Sequence, residues 1–168
     1  KKLYLIRDRY GIKPLYYWFN VNTIVFSSEI KGIIKHPEYE VDVDLDALNE
    51  YFTFQNIFSY NTLFKGVNML PPANLLEINS NTHFIEHNSW WDYDFNLTDD
   101  SISFDEAKLE TKKLFEQAVK RQMISDVPVG SYLSGGMDSS SIASVASNHV
   151  DRLATFTCGF DMNEVSGR

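Results

Sequence analysis

Residues 134–140 read Ser-Gly-Gly-Met-Asp-Ser-Ser, the stretch of the chain with the residue types best suited to holding an anion. Gly135 and Gly136 lack a Cβ and can take φ > 0, so their N–H groups can come close to a charged oxygen. If a helix begins here, Asp138, Ser139 and Ser140 fall in its first turn. The amides of a first turn have no acceptor inside the helix and face the positive end of its dipole. Serine hydroxyls add donors, and the whole is a recipe for a phosphate cradle. The same residues allow a plainer reading, a serine-rich turn in which Asp138 or Ser139 caps a helix. A Walker A loop is excluded, because no Gly-Lys-Ser/Thr follows at the required spacing.

Such a loop needs a strand before it and a helix after it. Residues 127–133 include Pro128 and Gly130 but end on the apolar pair Tyr132 and Leu133, which predicts a strand. Beyond the loop, Ile142, Val145, Ala146 and His149 recur at helical spacing. Residues 153–160 form a second apolar strand, and strand, crossover helix and strand of this length predict a right-handed parallel βαβ unit. Ligands bind at the strand-to-helix turns of open α/β sheets. Upstream, Ser103 followed three residues later by Glu106 matches a capping box. Ala107, Leu114, Phe115, Ala118 and Val119 then share one face of a long helix reaching about Met123.

The N-terminal half predicts sheet with small helices. Residues 3–6, 15–19 and 23–27 read as strands, with a turn at 8–11. Ser28 is the candidate cap of a short helix with Ile30, Ile33 and Ile34 on its apolar side, ending before His36 and Pro37. Asp44 opens a second helix marked by Leu45, Leu48, Tyr51 and Phe52. Residues 75–78 and 83–87 predict a hairpin across 79–82. Residues 92–102, rich in Asp, Asn, Ser and Thr, predict a linker.

Composition narrows the function classes. With 168 residues the chain can be one ordinary domain or parts of two, and 43% hydrophobic with 14% aromatic residues is ample for a packed core. A net charge of −8 argues against nucleic-acid binding by phosphate neutralisation. The single cysteine, Cys158, excludes an internal disulfide and fits a reducing compartment. No apolar stretch approaches membrane-spanning length, and residues 1–6 are too short for a signal peptide. A soluble cytoplasmic protein is the expectation, with a homodimer left open.

Other chemistry-bearing residues read as structural. Cys158 lies in an apolar strand run and is expected to behave as a small, inert hydrophobe, with nothing basic near it in sequence to make a thiolate. His36, His83, His87 and His149 lack metal-ligand spacing, since His83 and His87 would meet only on a helix. Trp90 and Trp91 read as packing residues. Arg7, Arg9 and Lys13 read, from the residues alone, as a solvated strand end.

Several motifs together resemble one family. SGGMDSS resembles the pyrophosphate-binding loop, SGGxDSS, of ATP pyrophosphatases of the asparagine synthetase type, and SDVPVGSYL (125–133) is similar to that family's approach strand. RDRYGIKPLYY (7–17) and FSSEIKGI (26–33) closely resemble the later part of the N-terminal-nucleophile glutaminase domain of the same enzymes. TLFKGVNMLPPAN (62–74) is similar to the family's run toward the domain junction. The resemblance covers nearly the whole chain and favours the phosphate reading of the loop over simple capping.

It implies an α+β fold, the C-terminal portion of an N-terminal-nucleophile glutaminase over residues 1–91, then the linker. Residues 103–168 would begin an α/β adenine-nucleotide-hydrolase-like domain. It implies ATP and pyrophosphate binding by Leu133, Ser134, Gly135, Gly136, Asp138, Ser139, Ser140 and Cys158, with Leu133 and Cys158 at the adenine. A carboxylate beside pyrophosphate repels it unless a cation stands between, so Mg²⁺ bridging from Asp138 is the consistent arrangement, and the family uses this position so. The implied reaction activates the aspartate β-carboxylate with ATP and amidates it with glutamine-derived ammonia. Other acceptors, as in β-lactam-synthetase-like enzymes, and a non-catalytic nucleotide-binding module are the alternatives. The family's glutaminase nucleophile is an N-terminal cysteine, whereas residue 1 is Lys1 and no Cys precedes Cys158. The expectation is therefore an internal fragment without glutaminase activity, its unfinished sheet prone to self-association or disorder after about Phe160.

Overall fold

The computed structural model describes residues 1–79, 84–96 and 101–159. The chain divides into two compact units, Lys1–Asn96 and Leu97–Arg168.

The first unit carries two three-stranded antiparallel sheets. One pairs β1 (Lys2–Ile6) with β5 (Asn74–Asn79), and β5 with β6 (Phe84–Ser89). The other centres on β2 (Tyr16–Phe19), flanked by β3 (Ile24–Ser27) and β4 (Asn68–Met69). Side chains alternate across a strand, and in β2 both faces are apolar. Tyr17 and Phe19 pack on the cluster of Leu5, Leu70, Leu76 and Ile78, whereas Tyr16 and Trp18 pack on Ile33, Tyr39 and Val67. The second cluster includes Ile30 and Ile34, so α1 (Ile30–Ile34) covers the outer face of that sheet. The hairpin of β5 and β6 runs from Asn74 opposite Ser89 to Asn79 opposite Phe84. Of the expected connection 79–82, Asn79 belongs to β5, while Ser80, Asn81 and Thr82, with His83 of the expected second strand, lie outside the described residues.

Local details depart from expectation. Ser28 does not cap α1: its N-cap is Glu29, with no side-chain cap bond, and the Glu29 N–H instead donates to Ser27 Oγ at 3.2 Å. Asp44 does cap α2 (Leu45–Phe54), accepting from the Ala47 N–H at 2.9 Å. Yet Leu45 and Phe52 stand 73% and 76% exposed, and the residue this helix buries is Ala47. Arg7 is not a solvated strand end but is only 7% exposed. It donates to the carbonyls of Lys13 (3.0 Å), Leu70 (2.5 Å) and Gly11 (2.8 Å), and so shapes the turn that follows β1. Gly11 takes φ +63°, and a Cβ there would lie 2.8 Å from Arg7 Nη2.

Trp91 is half-buried, as expected of a packing residue, whereas Trp90 is 43% exposed and is held by a hydrogen bond. The Trp90 indole donates to the Arg7 carbonyl at 3.2 Å. Trp91 stands edge-on to Tyr93 at 4.8 Å, with the Arg9 guanidinium 5.3 Å above its ring. Within the expected linker, Tyr93 reaches the Tyr10 hydroxyl at 3.2 Å and stacks on Phe95, while residues 97–100 lie outside the described set.

The second unit begins with α3 (Phe104–Gln122), whose capping box is complete. Ser103 Oγ accepts the Glu106 N–H at 3.3 Å, and the Glu106 carboxylate accepts the Ser103 N–H at 2.9 Å. The Ser103 hydroxyl, and after it that backbone N–H, hold the Glu106 carboxyl below the usual carboxylate range. Of the expected apolar face only Val119 is buried; Leu114 and Ala118 are exposed. β7 (Gly130–Tyr132) pairs in parallel with β8 (Ala154–Phe156), with α4 (Met137–Ala146) between them in sequence. Pro128 has no N–H for a ladder, and β7 begins beyond it. β8 is correspondingly shorter than the expected 153–160: Thr157, Cys158 and Gly159 leave the ladder, and Phe160 lies outside the described residues. His149 falls in a 3₁₀ turn, Ser147–His149, after α4.

Candidate functional site

The Ser-Gly-Gly-Met-Asp-Ser-Ser loop leaves the C-terminal end of β7 and becomes the first turn of α4. Gly135 takes φ +82°, a conformation that favours glycine, and no atom lies within 4 Å of where its Cβ would be. Gly136 does not share it. With φ −75° and ψ 160° it is the N-cap, without a side-chain cap bond, so neither Asp138 nor Ser139 caps the helix. Asp138 sits instead in the first turn. The Ser140 N–H makes the first helical bond, to the Gly136 carbonyl at 3.1 Å. The amides of Met137, Asp138 and Ser139 are the helix's unpaired donors, and these residues border an exposed loop.

Hydroxyls hold the loop in shape. Ser139 Oγ accepts the Ser134 N–H at 3.2 Å, lies 2.9 Å from Ser134 Oγ, and donates to the Gly136 carbonyl at 3.2 Å. The Gly136 N–H closes the ring by donating to Ser134 Oγ at 3.4 Å. A hydroxyl has one proton. With Ser139 donating to Gly136, Ser134 donates to Ser139, and both protons are used inside the loop. The donors left for a ligand are chiefly backbone amides. Ser140 borders the groove that α4 forms with α3, alongside Lys112 and Phe115.

Leu133 and Cys158, the residues expected at the adenine, lie just past the ends of the paired strands β7 and β8. Leu133 is half-buried; its N–H donates to the Phe156 carbonyl at 2.9 Å, and its carbonyl accepts from the Thr157 hydroxyl at 2.7 Å. Cys158 follows directly. It is exposed, as are all three residues of β8, and does not pack as a small hydrophobe. Sequence reasoning gave no role to Thr157. Its one signal is a hydroxyl immediately past a strand that ends beside the loop.

Asp138 is an exposed carboxylate, and no group of three or more His, Cys, Asp or Glu suited to a metal occurs among the described residues. One exposed carboxylate is compatible with Mg²⁺, which keeps several waters and is bound through one or two carboxylates together with phosphate oxygens. Among the described residues no helix is long and apolar enough to cross a membrane.

Comparison with known proteins matches both units. A family model described as a glutamine amidotransferase domain matches residues 1–91, and one described as asparagine synthase matches residues 110–167. The chain is 34% identical over 168 residues to the glutamine-hydrolysing asparagine synthetase 3 of Bacillus subtilis, a match covering 96% of this chain and 27% of that protein. It is 37% identical over 165 residues to a putative glutamine-hydrolysing asparagine synthetase 2 of Methanocaldococcus jannaschii, covering 95% and 31%. It is also 34% identical over 147 residues to the amidase chyE of Penicillium rubens, covering 84% and 21%. The chain thus spans less than a third of the length of these relatives. The glutamine amidotransferase model by itself matches more than half of the residues. The chain therefore belongs to the glutamine amidotransferase family, and along its length it is similar to glutamine-hydrolysing asparagine synthetases.

Proposed function

We propose that the intact protein makes asparagine from aspartate, glutamine and ATP, and that residues 134–140 hold the pyrophosphate that ATP releases. An oxygen of the aspartate side-chain carboxylate attacks the α-phosphorus. The bond to the bridging oxygen breaks, and pyrophosphate leaves with that electron pair. Ammonia freed from glutamine then adds to the acyl carbon, a proton is lost and AMP departs.

The single observation that carries this reading is the loop's geometry, Gly135 at φ +82° feeding a helix whose first-turn amides are unpaired and exposed. Negative charge gathers on the leaving pyrophosphate in the transition state. Donors already in place stabilise it without reorganising. Met137, Asp138 and Ser139 supply those amides, and Ser134 and Ser139 keep them aimed. Mg²⁺ held by Asp138 with the phosphates would offset the repulsion between carboxylate and pyrophosphate. Leu133 and Cys158 border the adenine. Residues 1–91 are then the C-terminal part of an N-terminal-nucleophile glutaminase and residues 103–168 the beginning of the ATP-pyrophosphatase domain, in a cytoplasmic enzyme. The Penicillium relative, an amidase by name, supports a second reading in which the same activation serves another acceptor. The test is isotope exchange between pyrophosphate and ATP by the intact protein. Exchange that depends on aspartate supports the proposal; exchange that needs a different carboxylate favours the second reading; absence of exchange with any carboxylate defeats both.

A further inference from the structure

We infer that Thr157 is a positioning residue for the pyrophosphate loop, an inference that rests on the reading of residues 134–140 given above. The Leu133 carbonyl and the Ser134 N–H belong to one peptide unit, which resonance keeps planar. Each end of that plane is held by a side-chain oxygen from a different element. Thr157 Oγ1 donates to the carbonyl end at 2.7 Å, and Ser139 Oγ accepts from the amide end at 3.2 Å. Ser139 belongs to the first turn of α4, and Thr157 is the first residue past β8. The ladder holds Leu133 once more, through its N–H to the Phe156 carbonyl at 2.9 Å.

The loop that follows leads into the first turn of α4, whose Met137, Asp138 and Ser139 amides face the anion in that reading. Gly135 has open space where a Cβ would stand, so no side-chain packing fixes the loop there and the hydrogen bonds on the peptide before it matter more. Releasing the carbonyl end leaves the plane held only by the Ser139 bond and the ladder, and it loosens Ser134, whose hydroxyl ties Ser139 and Gly136 together at the start of α4. Thr157 suits the task because a β-branched side chain has few χ1 choices, so its hydroxyl is already directed. It touches neither phosphate nor metal. It acts through Leu133.

The experiment titrates the full chain with magnesium pyrophosphate by calorimetry, comparing the parent with Thr157→Val and Thr157→Ser. Thr157→Val keeps the shape and removes the hydroxyl, and it is expected to weaken binding about five-fold, the order of one net hydrogen bond. Thr157→Ser restores the hydroxyl and is expected to recover most of that loss, while the thermal midpoints of all three stay together. If Thr157→Val does not fold, Thr157→Ala serves in its place. Equal affinity in parent and Thr157→Val overturns the positioning role, as does equal weakening by Val and Ser, which would make it a matter of packing. A parent chain that does not bind magnesium pyrophosphate defeats the reading of the loop itself, and with it this inference.

Discussion

Replacing Arg7 by Met removes a buried guanidinium while keeping much of its apolar length. In the structure Arg7 is 7% exposed and donates to the carbonyls of Lys13, Gly11 and Leu70. The Leu70 bond is the buried one of the three, and Leu70 itself is fully buried, so water cannot easily replace that donor. An unsatisfied buried carbonyl costs about 1–3 kcal/mol, and losing the two partly buried bonds adds about 1 kcal/mol each, for a total of about 3–5 kcal/mol. Arg7→Lys keeps the charge but not the planar fork that reaches divergent carbonyls, and is expected to lose about half as much. Urea unfolding followed by tryptophan fluorescence is the assay, because Trp18, Trp90 and Trp91, the chain's three tryptophans, all lie in the first unit. A loss below about 0.5 kcal/mol for Arg7→Met, the ordinary range for a surface substitution, would refute the reasoning.

Three further outcomes follow from single residues. Gly11→Ala meets both a positive φ and a Cβ contact of 2.8 Å with Arg7, whereas Gly135→Ala meets a positive φ in open space. The first is therefore expected to lower the stability of its unit by more than the roughly 1–3 kcal/mol of conformational strain, and the second by no more than that, as read by denaturant midpoints. Ser103→Ala removes the cap of α3 and is expected to cost about 1 kcal/mol, seen as fraying in far-UV circular dichroism. The Asp8 carboxyl is held below the usual carboxylate range by the Ile12 N–H first, then those of Lys13 and Tyr10. Because its folded pKa is lowered, the stabilisation it gives the turn is complete above the unfolded carboxylate pKa and is lost as pH falls through the folded value. A ¹³C titration of the Asp8 carboxyl with a midpoint at or above that of a free aspartate would contradict the turn geometry.

The elements of the site were readable because their signals are local. The Ser103–Glu106 capping box, the Asp44 cap and the positive φ of Gly135 each arise from a few neighbouring residues, and the parallel pairing of β7 with β8 follows from the strand, helix, strand order. What escaped depends on partners far along the chain. The burial of Arg7 requires the Leu70 carbonyl, which no charge pattern in residues 7–17 announces. β8 pairs over only the three residues of β7, and both it and Cys158 beyond it are exposed, which an apolar run in sequence does not announce. Leu45 and Phe52 satisfy a helical apolar pattern yet face outward, because amphipathic spacing tells which residues share a side and not what covers it. Ser139 reads from the motif as a phosphate donor, but its proton goes to the Gly136 carbonyl within the loop.

The most direct test of the central claim is to titrate ¹⁵N-labelled chain with magnesium pyrophosphate and follow the backbone amides. The account predicts that the largest shifts fall on Gly135, Gly136, Met137, Asp138 and Ser139, and that Gly135→Ala diminishes them together with the affinity. Shifts confined to lysine-bearing surfaces elsewhere, or no shifts at any amide of residues 134–140, would contradict it.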